Sequence, residues 1–188
     1  MIILDRVCAG YPEKKVLANL SVSFPDTGAA AIMAPSGFGK TTLLRVLAGL
    51  KQPDVGKITG LENKNISFLF QEDRLLPWVS AEKNVELVSS AEKATCWLDQ
   101  MEISDVTQLP REMSGGMRRR VALARAMAFG GDVLLMDEPF KGLDESLRER
   151  IAGRIKGRFP LTVLSVHDER EAELMGAEII RLDALSQS

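Results

Sequence analysis

Ala34-Pro35-Ser36-Gly37-Phe38-Gly39-Lys40-Thr41-Thr42 is the stretch on which the fold turns. Just upstream, Ala29–Met33 is a short apolar run entered through a Pro25-Asp26-Thr27-Gly28 turn. Downstream, Thr41–Leu50 spaces its apolar residues for a helix with one face on a sheet, closed by Pro53 and Gly56. A strand, a glycine-rich loop and a helix in direct succession make a phosphate cradle. Gly37 and Gly39 let the backbone curl so that successive N–H groups point inward, and the helix N-terminus adds partial positive charge. In that pattern Lys40 reaches the β- and γ-phosphates of a nucleotide, and Thr41 offers its hydroxyl to Mg2+, a hard cation that takes oxygen ligands. All nine residues are candidate nucleotide contacts. Ala34 stands where the pattern has glycine, at a position that asks for a small residue more than for a positive φ. Phe38 is the bulky member that the loop does not call for, and it bears on affinity.

Working outward, the pattern is α/β. Ile3–Val7 and Leu20–Phe24 predict β-structure before the loop. Ile66–Phe70 is another short apolar strand, and from about Glu72 to Gly130 the chain is rich in Ala, Glu, Leu and Arg and reads as a helical insert. Val133–Met136 and Leu161–Val166 are almost continuously apolar, as parallel strands buried on both faces are. Each ends in a polar or charged residue, where α/β sheets place ligands.

The strand ends carry the candidate chemistry. Val133–Met136 runs into Asp137-Glu138-Pro139. Asp137 is placed to hold Mg2+, directly or through water, and Glu138 to orient and deprotonate the water that attacks the γ-phosphate. A capping role for the pair is the alternative, weaker beside a phosphate loop. His167, the single histidine, follows Leu161–Val166 and is placed to hydrogen-bond the γ-phosphate or the attacking water. Gln71 follows Ile66–Phe70 in the same way and is a candidate for sensing Mg2+ or water.

Composition bounds the alternatives. The chain has 188 residues, 45% of them hydrophobic, enough for one domain carrying a subdomain. Lys and Arg total 24 against 26 Asp and Glu, a net charge of −2, so no bulk attraction to nucleic acid or anionic lipid follows and no nucleic-acid partner is expected. The start, Met1-Ile2-Ile3-Leu4-Asp5, lacks the marks of a secretion signal, and no apolar run approaches a membrane span, so a cytoplasmic location is expected. Cys8 and Cys96 lack metal-ligand spacing and read as reduced thiols filling space.

Met113–Met127 reads M-S-G-G-M-R-R-R-V-A-L-A-R-A-M, and here the chain resembles the ABC ATPases, whose signature is L-S-G-G-Q followed by a basic, alanine-rich helix. The resemblance spans nearly the whole sequence in order: the P-loop at Ala34–Thr42, Gln71 as the Q-loop, Ser114-Gly115-Gly116 as the signature, Val133–Glu138 as the acidic strand, Gly142-Leu143-Asp144 as the D-loop and His167 as the switch histidine. It implies a P-loop NTPase (RecA-like) α/β core with an N-terminal antiparallel β region and a helical insert subdomain. Residues 1–188 then form one domain, with the core in 1–72 and 131–188 and the insert at about 73–130.

The Ser114 hydroxyl and the N–H groups of Gly115 and Gly116 open a helix and make a second anion site. In this family that site serves the ATP of another subunit, so the resemblance implies a head-to-tail pair formed with a second copy or a homologous ATPase. Asp144 lies at that interface, and Tyr11 occupies the place of the ring that stacks on adenine. Met117 stands where the signature has Gln and bears on contacts to the partner nucleotide's ribose. Arg118, Arg119 and Arg120 read as a solvated face.

Phe70–Trp78 looks like the importers that serve nitrate, sulfonates and taurine. That resemblance implies Mg-ATP as the bound nucleotide, an integral membrane permease received in a groove between Q-loop and insert, an extracytoplasmic solute-binding protein acting indirectly, and a place on the inner face of the cell membrane. Most of Leu75, Leu76 and Trp78 is expected in the insert core. The stretch from Lys40 to Gln71 is short for the family and implies a trimmed antiparallel region, and the short stretch after His167 leaves no regulatory tail. A non-transport ABC ATPase is the competing class, usually marked by coiled coils, zinc modules or paired cassettes that this sequence lacks.

Overall fold

The computed structural model describes residues 1–12 and 14–182. The expected lack of a regulatory tail after His167 concerns 183–188 in part, and those residues lie outside the described ones.

Two sheets share the α/β core. β1 (Ile2–Tyr11) pairs antiparallel with β2 (Lys14–Phe24) on one side and β4 (Val55–Thr59) on the other. The second sheet is parallel, with β3 (Gly28–Met33) between β7 (Leu161–Val166) and β8 (Glu178–Arg181), followed outward from β7 by β6 (Val133–Asp137) and β5 (Ile66–Leu69). Every residue of β6 and of β7 is buried, as their unbroken apolar runs require.

Period-2 alternation divides the apolar residues between two cores. Val133, Leu135, Leu161, Val163, Ala30 and Ile32 face α1 (Lys40–Leu47) and the antiparallel sheet. Leu134, Met136, Leu164, Val166 and Ala31 face the other way, into a cluster with the insert. That cluster takes in Val85 of α2 (Ala81–Glu86), Leu98 of α3 (Ala91–Gln100) and Leu123 of α4 (Gly115–Phe129), so the insert and one sheet face share apolar packing. Helix α4 is the link: Ser67 in β5 donates to the Ala126 carbonyl at 2.7 Å. α5 (Glu145–Ile155) and α6 (Glu169–Met175) complete the order.

Several expectations are corrected. Helix α1 ends at Leu47 rather than Leu50, with Ala48 as its cap and Gly49 at φ +69° turning the chain away. The first part of the insert is irregular, not helical: the buried Asn84 side chain accepts from Leu76 N and donates to the carbonyls of Leu76, Val79 and Ser80, holding the loop that a helix would have replaced. Leu75 packs on the insert core, but Trp78 is 71% exposed. Cys8 and Cys96 are both free, yet Cys96 is exposed and fills no space.

The three arginines are not a solvated face. Arg118 donates to the Met113 carbonyl at 2.7 Å, and Arg120 to those of Met101 and Glu102 at 2.7 and 2.6 Å. Arg119 is 3% exposed. Loop carbonyls gathered around the start of α4 supply the acceptors that hold guanidinium groups inside.

Candidate active site

Because β3, β5, β6 and β7 run parallel, their C-terminal ends share one edge of the sheet. There Met33 leads into the loop, Asp137 closes β6, Val166 precedes His167, and Leu69 precedes Phe70 and Gln71. One cleft at this edge is lined by Tyr11, Ser36, Lys40, Thr41, Gln71 and Glu138. A second, sharing Ser36, Gln71 and Glu138 with it, adds Lys141, His167 and Glu171.

The loop has the cradle geometry that the sequence called for. Gly37 and Gly39 sit at φ +82° and +93°, and a Cβ on Gly39 would fall 2.8 Å from side-chain carbons of Val16 and Leu17. Ala34 does not have a positive φ, so a methyl group costs nothing there. The Phe38 N–H donates to the Pro35 carbonyl at 3.3 Å, and Thr42 is buried behind the loop. Lys40 is 7% exposed and its ammonium donates to the Ala34 carbonyl at 2.6 Å, across the mouth of the loop. The Phe38 ring, 44% exposed, turns away from the cleft toward an apolar recess of Val16, Leu17, Leu20 and Leu182.

Glu138 is the focus of the polar contacts. Its backbone is left-handed, at φ +49°, a conformation that persists in a non-glycine residue only where the surroundings over-determine it. His167 Nε2 lies 2.8 Å from one carboxylate oxygen and the Lys141 ammonium 3.4 Å from the other. Burial pushes its pKa up, but hydrogen bonds from His167 and Gln71 to the ionised form outweigh that and leave it below the ordinary 4.5.

Asp137 is 1% exposed. One of its oxygens accepts from the Ser165 hydroxyl at 2.7 Å, and Ser165 in turn accepts from the Glu138 N–H at 2.9 Å. The other oxygen is buried without a partner, the arrangement that a cation held by oxygen would complete. Among the described residues no group of three or more His, Cys, Asp or Glu is arranged to hold a metal ion. A hydroxyl, one carboxylate, phosphate oxygens and water therefore suit a hydrated Mg2+ better than a protein cage.

Tyr11 lines the nucleotide cleft, 46% exposed. Arg45 donates to its hydroxyl at 3.1 Å, which with the nearby Lys51 charge lowers the phenol pKa, and the Lys51 ammonium lies 5.2 Å from the ring centre.

The signature lies elsewhere. Ser114 caps α4, its hydroxyl accepting from Met117 N at 3.2 Å, and Asp144 caps α5 by accepting from Leu147 N at 3.0 Å. A Cβ on Gly116 would stand 3.3 Å from the Gly142 carbonyl, so signature and D-loop abut. Met117 turns onto the insert core. None of Ser114, Gly115, Gly116, Met117 or Asp144 lines either cleft.

Sequence reasoning passed over Ser165 and Lys141 and misread the buried Arg119 as solvated. Ser165 had a readable signal, a lone serine late in a buried apolar strand, but its pairing with Asp137 depends on register. Lys141 lies one turn beyond Glu138 and carried no signal.

This fold and this edge define a nucleoside triphosphatase built on a phosphate loop and an acidic strand end. A family model described as ABC transporter matches residues 17–141, well over half of the chain. A probable sulfate/thiosulfate import ATP-binding protein of Chlorella vulgaris is 31% identical, over 97% of this chain and 87% of its own length. An aliphatic sulfonates import ATP-binding protein of Rhodococcus jostii is 38% identical, over 97% and 80%. The solved dimer of MJ0796, described as a bacterial ABC transporter cassette, aligns with a TM-score of 0.86 at 28% identity, over 96% of this chain and 94% of that one. The chain belongs to the ABC transporter family, as an ATP-binding subunit that hydrolyses ATP.

Proposed function

We propose that this subunit binds Mg-ATP at the sheet edge and hydrolyses it only when a second cassette closes over the nucleotide. The observation that carries the chemistry is the convergence of Lys40, Gln71, Glu138 and His167 on two clefts that share an edge. In this reading Lys40 leaves the Ala34 carbonyl for the β- and γ-phosphates, and the curled backbone of Ala34–Thr42 donates to them. Thr41, Asp137 and Gln71 would hold Mg2+, directly or through water, and the ion would supply neutralisation of phosphate charge. Glu138, ionised at neutral pH, accepts the proton of the attacking water. His167, close enough to hold that carboxylate, contacts the γ-phosphate once ATP is in place. Tyr11 stacks on the adenine.

A head-to-tail pair is supported by the position of the signature, outside both clefts of its own chain, and by the dimeric form of the MJ0796 cassette. Ser114, Gly115 and Gly116 then face the partner's γ-phosphate through an N-terminal helix end, with Asp144 at the seam.

The membrane partner is a permease. Phe68, Phe70, Leu76, Leu87, Val88 and Phe129 line an apolar groove of about 320 Å3 next to the Gln71 segment, with Leu87 60% and Phe129 48% exposed. It suits an amphipathic helix. Among the described residues no helix is long and apolar enough to cross a membrane. The names of the relatives from Chlorella vulgaris and Rhodococcus jostii support import of small sulfur oxyanions; an upstream solute-binding protein and a place on the cytoplasmic face belong to the same proposal.

The test is Glu138→Gln. It is expected to bind Mg-ATP, to lose at least about 100-fold in kcat as general bases do when removed, and to accumulate as an ATP-dependent dimer on size exclusion. Normal turnover by this variant would remove Glu138 from the role.

A further inference from the structure

We propose that Arg119 is a positioning residue that sets the Glu138 carboxylate and ties it to the Gln71 segment. The inference rests on Glu138 being the general base. Arg119 projects from α4, two residues beyond Met117 of the signature, and all of its donors are used. Nη2 donates to the carbonyls of Asp137 and Glu138 at 2.6 and 2.7 Å, and Nε to that of Pro139 at 3.1 Å. Nη1 donates to the carbonyls of Phe70 and Gln71 at 2.6 and 3.4 Å and to the Asp73 carboxylate at 3.3 Å.

One planar fork therefore grips two separate segments, the turn that carries the base and the loop that carries Gln71. The grip on the first falls on the peptide that is left-handed at Glu138. A conformation of that kind needs outside support, and Arg119, with Ser165 on the amide side, supplies it. The grip on the second falls beside the groove proposed for the permease, since Phe70 lines that groove and Gln71 lines both clefts. A shift of the Phe70–Arg74 loop is thus passed through a rigid guanidinium to the peptides on either side of Glu138. The same side chain connects both to the helix that Ser114 opens. Signature, groove and base share one buried hub.

Lysine separates this from a merely structural role. It keeps the charge but presents it at one point, which cannot reach both segments at once. For Arg119→Lys we expect kcat about 10-fold lower or worse, since a misplacement of an ångström can cost about 100-fold, with the Kd for Mg-ATP within about twofold of the parent. In a Gln71→Ala background the same substitution should lower kcat by a smaller factor, because the side chain through which the loop reaches Glu138 is already gone. A folded Arg119→Lys with kcat within about twofold of the parent, whatever its melting temperature, overturns the proposal, and so do fully multiplicative effects with Gln71→Ala. Glu138→Gln, assayed alongside, keeps the two readings apart: if it turns over normally, the assignment of the base fails; if it is dead while Arg119→Lys is normal, only the hub fails. Arg119→Gln, which retains two donors at shorter reach, is expected to lower kcat at least as far.

Discussion

Ser165→Ala tests the arrangement beneath the site. The serine hydroxyl is fully buried, donates to Asp137 and accepts from the Glu138 N–H. Removing one oxygen leaves little cavity, so the cost is two orphaned polar groups. At about 1–3 kcal/mol for each buried group left without a partner, with the carboxylate at the upper end, the variant should lose about 4–6 kcal/mol. For a domain of this size each kcal/mol moves the midpoint by roughly 2–4 °C, so the melting temperature should fall by roughly 8–24 °C. Mg-ATP should stabilise the variant no more than the parent, because a cation would complete the Asp137 oxygen that lacks a partner in both, not the one that the substitution strips. Differential scanning calorimetry with and without Mg-ATP reads both effects. A variant that melts within about 2 °C of the parent, or gains distinctly more from Mg-ATP than the parent does, would refute the reasoning.

Lys40→Ala should weaken Mg-ATP binding roughly 10- to 100-fold, the worth of charge-assisted bonds to phosphate, measured by titration calorimetry; unchanged affinity would count against the loop. Glu138 has a depressed pKa, so its ionised form stabilises the fold fully above the ordinary 4.5 and less as pH falls through the folded value. The stability difference between parent and Glu138→Gln should accordingly stay constant from pH 8 to about 5 and shrink only at lower pH; a difference that vanishes between pH 7 and 6 contradicts this. Leu98→Ala, at a fully buried position of the insert, should cost about 2–5 kcal/mol and move a single calorimetric transition, because insert and sheet share one apolar cluster. A separate insert transition would show that the two melt independently.

What could be read from the sequence was what repeats or what sits in a motif. Val133–Met136 and Leu161–Val166 announced buried strands because both faces of a parallel sheet are covered, and Gly37, Gly39 and Lys40 announced the loop because few residue types allow that backbone. What stayed hidden depends on who sits opposite whom. The order β5-β6-β7-β3-β8 places Ser165 against Asp137, and no periodicity within either strand contains that pairing. Arg118–Arg120 were misread for the same reason: a run of charge on a helix usually meets water, and only the folded loops around α4 supply the carbonyls that draw Arg119 inside. Trp78 and the start of the insert were obscured by Asn84, whose side chain stands in for backbone partners that a helix would have provided.

The central claim is that each chain holds half of a hydrolytic site, and mixing two disabled variants tests it most directly. Lys40→Ala lacks a working phosphate loop and Ser114→Arg a working signature, so each should be inactive alone. In an equimolar mixture half of the pairs are mixed, and each mixed pair contains one intact composite site, so ATPase activity should return to about a quarter of the parental value if sites turn over independently. A mixture as inactive as its components, or Ser114→Arg hydrolysing ATP at the parental rate by itself, would contradict the account.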